Sequence, residues 1–195
     1  LGGANLDDAV ALGAEQVLRE AVLSLHFEYR KRPIPEAGVR VAQLDNLYLS
    51  VFQSWPSAQT PMYSYAQFLT DQNNYSESAR IFNLHWTQFR SILQEPLREE
   101  ALRNLIHAVH EQENAQKALS ASLSPAASQL LELSLAYEKE YPATPPVRSI
   151  QFLRPSMHFK YGQFEQAIAE SQKLFDKNPA DDIGKRCFEN LRVAY

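Results

Sequence analysis

An all-α fold, built as a stack of antiparallel helix pairs, is what this sequence predicts, and three observations predict it. Apolar residues recur at helical spacing along almost the whole chain, and no stretch alternates with period two in the β-branched manner of a strand. Only six glycines punctuate the chain, while eleven prolines stand mostly at junctions between periodic segments, where a missing N–H does least harm. Two turns, and the segments that follow them, also echo each other, as a stack of like units requires.

The elements follow in order. From Asp7 the residues Val10, Leu12, Val17, Leu18, Val22, Leu25 and Phe27 trace a stripe wide enough for a long buried helix over about 7–32, which Pro33 and Pro35 stop. A second helix carries Val39, Val41, Leu44, Leu47, Leu49, Val51 and Phe52 and ends at Trp55-Pro56. Further helices are expected over about 61–72, 75–92, 96–112, 125–141, 147–161 and 163–177, with another opening near Asp181. Trp55-Pro56-Ser57-Ala58-Gln59-Thr60-Pro61 has the same design as Tyr141-Pro142-Ala143-Thr144-Pro145-Pro146: an aromatic closes one helix, a proline-rich turn follows, and a new helix begins. Downstream, Asn73-Asn74-Tyr75-Ser76-Glu77-Ser78-Ala79 stands beside Gly162-Gln163-Phe164-Glu165-Gln166-Ala167, each a turn-prone pair, an aromatic, polar residues and then a small residue.

These residues carry a resemblance to the tetratricopeptide repeat (TPR). Gly162 to Pro179 resembles the second helix of a repeat, with its aromatic, its close-packing Ala167 and its terminal Pro179; Tyr65-Ala66 and Leu69 resemble a first helix, where a large-small pair lets two helices approach. Leu105, Ala108 and Val109 with Lys117-Ala118-Leu119 fit a third copy less well, and Phe188, Leu191, Ala194 and Tyr195 look like the opening of another. The resemblance spans roughly 40–195 and implies a right-handed superhelical solenoid of TPR-like antiparallel helix pairs. Residues 1–56 would form an N-terminal helix pair capping the stack, and 57–195 the repeats, the last one truncated. Two prolines depart from the pattern. Pro155 falls inside a first helix, where a kink or late start is expected, and Pro125 makes 113–124 a connecting loop. Slightly long copies joined by aromatic-Pro-x-Thr-Pro turns are similar to bacterial cell-envelope TPR proteins, such as the lipoprotein of the outer-membrane β-barrel assembly machinery and the Tol–Pal-associated periplasmic factor.

Composition excludes several functions. A net charge of −4 leaves no basic footprint for nucleic acid, and the densest cationic run, Arg30-Lys31-Arg32, sits at a helix end whose dipole it complements. Cys187 is the single cysteine, so no internal disulfide forms; this fits a reducing compartment and equally a periplasmic protein without bridges. No run of 18 apolar residues exists to span a membrane. Leu1-Gly2-Gly3-Ala4-Asn5 is neither a signal peptide nor an initiator, and the last residues stop inside a helical pattern, so a longer parent protein is expected.

Catalytic chemistry finds no motif. No GxSxG elbow exists, Cys187 has no neighbouring histidine, and the pairs Glu99-Glu100 and Asp181-Asp182 lie near helix starts, where negative charge suits the dipole. His107 and His110 share a helix face followed by Glu111 and Glu113, but a zinc site needs further ligands that no HExxH or cysteine cluster supplies. No catalytic residue, metal or cofactor is therefore expected. In the TPR register, however, Tyr63, Gln67 and Thr70 of one copy and Arg103, His107 and His110 of the next fall on the concave side. Such a groove suits a partner peptide or helix, because these side chains combine contact area with hydrogen bonds. The resemblance thus implies a non-catalytic protein–protein interaction scaffold, in a cell-envelope or periplasmic assembly or alternatively in the cytoplasm. A self-associating structural or oligomerisation module is the second expectation.

Overall fold

The computed structural model describes residues 6–116 and 122–194, with only the backbone described at Leu6, Asp7 and Ala194. The readings made on Leu1 to Asn5, on Lys117-Ala118-Leu119 and on Tyr195 lie outside these residues. Among the described residues the chain is all-helical, without strands: α1 (Leu6–Lys31), α2 (Pro35–Phe52), a short 3-10 turn (Pro56–Ala58), α3 (Gln59–Asp71), α4 (Tyr75–Phe89), α5 (Leu97–Asn114), α6 (Pro125–Glu140), α7 (Val147–Lys160), α8 (Phe164–Lys177) and α9 (Asp182–Ala194). Apart from α2, for which the sequence named no start, the helix starts fall within two residues of those expected, because prolines and turn residues punctuate them. Packing divides the chain into two compact units, Leu1–Gln94 and Glu95–Tyr195. Residue 56, where the sequence places the change from end pair to repeats, lies inside the first unit.

In the first unit α1 and α2 pair and both pack on α3. The face of α1 that packs keeps only part of the apolar stripe. Val10, Leu12, Val17 and Phe27 are exposed, whereas Glu15, Val22 and His26 are buried. Both buried polar groups find partners on α2: the Tyr48 hydroxyl donates to Glu15 Oε1 at 2.7 Å, and His26 Nε2 meets Asp45 Oδ2 at 2.8 Å. Burial pushes the Glu15 carboxyl up, but hydrogen bonds from Tyr48, Ser57 and Arg19 outweigh it and hold the group below its ordinary range. At Asp45 burial wins and the carboxyl is raised despite His26. A hydrogen-bonded polar pair can occupy a core position that sequence periodicity reserves for an apolar residue, even though Asp45 Oδ1 itself has no partner.

The α3–α4 pair is closed by small residues. Ala66 is buried, and its carbonyl accepts from the buried Ser78 hydroxyl at 2.9 Å, which brings the two backbones close. The turn between them places Asn73 at φ +57, with Asn74 N donating to Leu69 O at 2.9 Å and Asn73 N to Thr70 O at 2.9 Å. This hydrogen-bond pattern satisfies orphan carbonyls at a helix C-terminus. It recurs 89 positions on, where Gly162 has φ +69, Gln163 N donates to His158 O at 2.8 Å and Gly162 N to Phe159 O at 3.0 Å. The next residues, Asn74 (φ −86, ψ 63) and Gln163 (φ −86, ψ 64), open α4 and α8 with the same backbone. The copies echoed in sequence are therefore the same structural turn.

His85 lies at the centre of this pair, 2% exposed, with neither ring nitrogen hydrogen-bonded. Burial pushes its pKa down to about 4. A histidine depressed in the folded state gives up stability as pH falls through its ordinary value, near 6.5, towards 4; above that window the neutral ring costs nothing extra. We expect the first unit to lose about 3 kcal/mol across this window. His85→Phe should remove most of that loss, read as the pH dependence of the urea midpoint between pH 7 and 4. An unchanged slope in the variant would assign the sensitivity elsewhere.

In the second unit α5, α6, α7, α8 and α9 pack in sequence, and α9 also meets α7. Leu102, Leu105, Leu130 and Tyr137 form the core between α5 and α6. Tyr141 closes α6 with its ring 5.2 Å from that of Tyr137, and Thr144 Oγ1 donates to Tyr141 O at 3.0 Å, so the aromatic-proline turn is internally tied. Arg154 joins three helices, pairing with Glu138 of α6 at 2.8 Å and Glu170 of α8 at 3.3 Å. Pro155 does not delay the helix: α7 starts at Val147 and runs through it to Lys160. Its ring is buried beside Arg154, and Ser156 Oγ donates to Phe152 O at 2.9 Å in the turn that lacks an N–H. Packing and those ties offset one missing backbone hydrogen bond, worth about 1 kcal/mol net. Pro125 does begin a helix, with Ser124 Oγ accepting from Ala127 N at 2.9 Å as its cap, while α5 extends to Asn114, past the residue at which the loop was expected to start.

Candidate partner-binding site

On α3 the residues Tyr63, Gln67 and Thr70 all sit half-buried on one stripe, flanked by the exposed Thr60 and Asp71. Their surroundings differ. Tyr63 leans onto α4, its ring 5.6 Å from Phe82 edge-on and 5.4 Å from His85. The Thr70 hydroxyl is held inside the pair, 3.1 Å from Ala66 O and 2.6 Å from Ser78 Oγ.

Arg103, His107 and His110 form the matching stripe on α5, the first two exposed and the third half-buried. Arg103 bridges to Glu99 at 3.4 Å, and His110 Nδ1 lies 3.3 Å from Glu111. Burial lowers the His110 pKa, with Glu111 opposing, so the ring favours its neutral form. At the N-terminal end of this stripe Glu99 and Arg103 border a cleft of about 840 Å³ that also meets Glu140, Tyr141 and the Pro145-Pro146 turn. The two stripes lie in different packing units, and each is a surface of its own unit.

The repeated turn identifies a third stripe that sequence reasoning missed. The counterparts of Tyr63, Gln67 and Thr70, 89 positions on, are Phe152, Ser156 and Phe159 of α7. Phe152 is buried, while Ser156 and Phe159 are half-buried. They form one wall of a cleft of about 830 Å³, whose other walls come from Phe175 of α8, from Pro179 just beyond it, and from Lys185, Arg186, Phe188, Glu189 and Asn190 of α9. Below it Phe152, Leu174 and Cys187 make a core cluster joined by Phe175 and Ile183. Periodicity files two of the three residues as core because they are phenylalanines. The shared spacing from the turn is the signal that would have found them.

The described residues offer little to reaction chemistry. They hold no group of three His, Cys, Asp or Glu placed to grip a metal ion. Cys187 is buried, and burial pushes its thiol up, away from the thiolate a nucleophile needs. No described helix is long and apolar enough to cross a membrane.

No protein-family model and no curated protein matches the chain. Among solved structures it is similar to the nearly identical TPR-like repeats of a kinesin light chain protein from Podosopora anserina, at TM-score 0.56 and 13% identity, over 91% of this chain and 86% of that one. That likeness speaks to fold alone. This chain has an all-helical, TPR-like repeat fold.

Proposed function

We propose that this chain is a non-catalytic interaction scaffold that holds a partner peptide or helix against partly covered helix stripes, that of α3 on the first unit and those of α5 and α7 on the second. The observation that carries the reading is the recurrence of one surface. The two copies related by the shared turn use their neighbouring helix faces for packing and leave the same i, i+4, i+7 stripe incompletely covered. Affinity would come from a few anchors among Tyr63, Arg103, His107 and the α7 phenylalanines, with Gln67, Thr70 and His110 shaping the surface around them. In this reading α1 and α2 close one end of the repeats, and no nucleic acid, metal or cofactor takes part.

In-cell photocrosslinking from Gln67, His107 and Ser156, with the exposed Glu132 of α6 as control, tests it. We expect one protein partner trapped from the stripes and absent from the control. Equal labelling at all four positions would sink the assignment. The aromatic-proline turns and slightly long copies lead us to propose a bacterial cell-envelope assembly, with the cytoplasm as the alternative; fractionation of the native cells separates the two.

A second reading, self-association, is favoured by the exposed Val10 and Val17 of α1 and Val39, Leu47 and Val51 of α2. Apolar surface of this kind at an open end of a helical stack invites another copy. A mass that rises with concentration, together with crosslinks only to the chain itself, would move the conclusion there.

A further inference from the structure

Resting on the scaffold reading, we propose that the cleft between α7, α8 and α9 receives an acidic peptide segment, with a bulky apolar side chain set among its phenylalanines and a carboxylate held by Arg186. The apolar half of the argument is the lining. Phe152 forms the floor, with Phe159, Phe175 and Phe188 around it, and Phe188 remains 51% exposed. Large aromatics left at the mouth of a cleft gain most by receiving another apolar side chain, because water then leaves both surfaces. At about 830 Å³ the space is of the size that buries side chains rather than a lone ion.

The charged half is a mismatch in local pairing. Lys185 meets Asp182 at 3.4 Å, and Glu189 meets Arg192 at 2.8 Å. Arg186, between them in sequence, has no carboxylate partner among the described residues. Its guanidinium lies instead over the Phe152 ring, 4.2 Å from the centroid. Stacking on an aromatic face fixes the guanidinium plane and leaves its N–H fork directed at whatever enters beside it. A planar, pre-oriented fork matches a carboxylate in a bidentate manner, and the apolar floor strengthens that pairing by thinning the water around it. Other described surface cations also lack an ion-pair partner, but Arg186 is set apart by its stacking on the cleft floor; Glu189, the acid in the same lining, is paired with Arg192. Ser156 adds a hydroxyl on the wall. Its proton is engaged by Phe152 O at 2.9 Å, so its oxygen stays able to accept from a peptide N–H.

The test uses the whole chain and three fluorescein-labelled ten-residue peptides: Gly-Ser-Asp-Glu-Phe-Asp-Leu-Glu-Gly-Ser, the same peptide with alanine for its Phe and Leu, and the same with lysine for its acids. Fluorescence anisotropy should show the first binding at least about tenfold more tightly than either of the others. Arg186→Glu should weaken that binding about tenfold and flatten its salt dependence. Phe188→Ser should weaken it to a similar extent with the salt dependence kept. Circular dichroism should be unchanged; each variant gives up one ring contact, of Arg186 with Phe152 or of Phe188 with Phe175, so melting should fall by only a few degrees and binding is compared below that transition. Equal binding of the lysine peptide, no binding of the first, or indifference to Arg186→Glu would each overturn the proposal. If Ser156 still crosslinks a protein partner in that case, only the acidic-peptide inference falls. If that crosslink fails too, the scaffold reading falls with it.

Discussion

Glu113→Ala is expected to lower the stability of the second unit by about 3 kcal/mol, at the lower end of what breaking a buried ion pair costs. The Glu113 side chain is fully buried, and three groups converge on its carboxylate: Lys160 Nζ at 2.5 Å, the Tyr161 hydroxyl at 2.8 Å and the Ser124 hydroxyl. Lys160 also donates to the Glu113 carbonyl at 2.5 Å, so the end of α7 is clamped to the end of α5 twice. Burial alone would push the carboxyl up, but the hydrogen bonds from Lys160, Ser124 and Tyr161 outweigh it and hold the group below its ordinary range. Stability from this cluster is therefore fully present above about pH 4.5 and is lost as pH falls through the lowered value. Alanine leaves an ammonium, with 22% of the Lys160 side chain exposed, and two hydroxyls without their acceptor. Partial access to water is why the lower figure is expected. Glu113→Gln keeps the shape and loses the charge, and should fall between. Urea unfolding followed by hydrogen exchange at α5 and α7 measures both variants, and a loss below about 1 kcal/mol for alanine would mean that the cluster is replaceable by solvent.

Gly184→Ala should be comparably damaging, at about 3 kcal/mol, the upper range for overpacking. A methyl group there would sit 2.2 Å from Asn178 O and 2.7 Å from Pro179 Cα, and backbone atoms cannot swing aside as a flexible side-chain tip can. The segment is also pinned. Arg148 donates to Leu174 O and to Asn178 O, each at 3.2 Å, and to Asp181 Oδ1 at 3.0 Å, while Gly184 N donates to Asp181 Oδ1 at 2.6 Å. With no room to yield, the strain should be relieved by α9 rising from α7 and α8. The expected signature is faster hydrogen exchange in α9 alone, with α5 and α6 protected as before. A uniform loss across the unit would instead mean that α9 folds as part of one cooperative block.

Much of this architecture is legible from residues whose effect is local. Pro35, Pro56, Pro125 and the pairs Asn73-Asn74 and Gly162-Gln163 fix helix ends through backbone geometry, which acts over a few residues. What could not be read depends on partners far along the chain. Glu15 and His26 look like surface residues of α1 until Tyr48 and Asp45, 33 and 19 positions away, arrive to satisfy them, and Val10, Leu12, Val17 and Phe27 then face outward. Pro155 suggests a late helix start until Arg154 and the packing of α7 are seen to carry the helix through it. The surface stripes are in the same position. Spacing finds Tyr63, Gln67, Arg103 and His107, but only the shared turn brings Phe152, Ser156 and Phe159 into register with them, and nothing in sequence separates Arg186 from any other surface cation.

Cys187 gives the molecule a chronometer of its own. It is the single thiol of the chain, has no exposed surface, and is held protonated by its burial. A sulfhydryl reagent can consume it only during moments when α9 lifts from the Phe152–Leu174 floor, so the labelling rate counts those moments without any engineered probe. Whatever seats across α9 must slow the count, and one absorbance trace would report both how often that end of the protein breathes and when a visitor holds it shut.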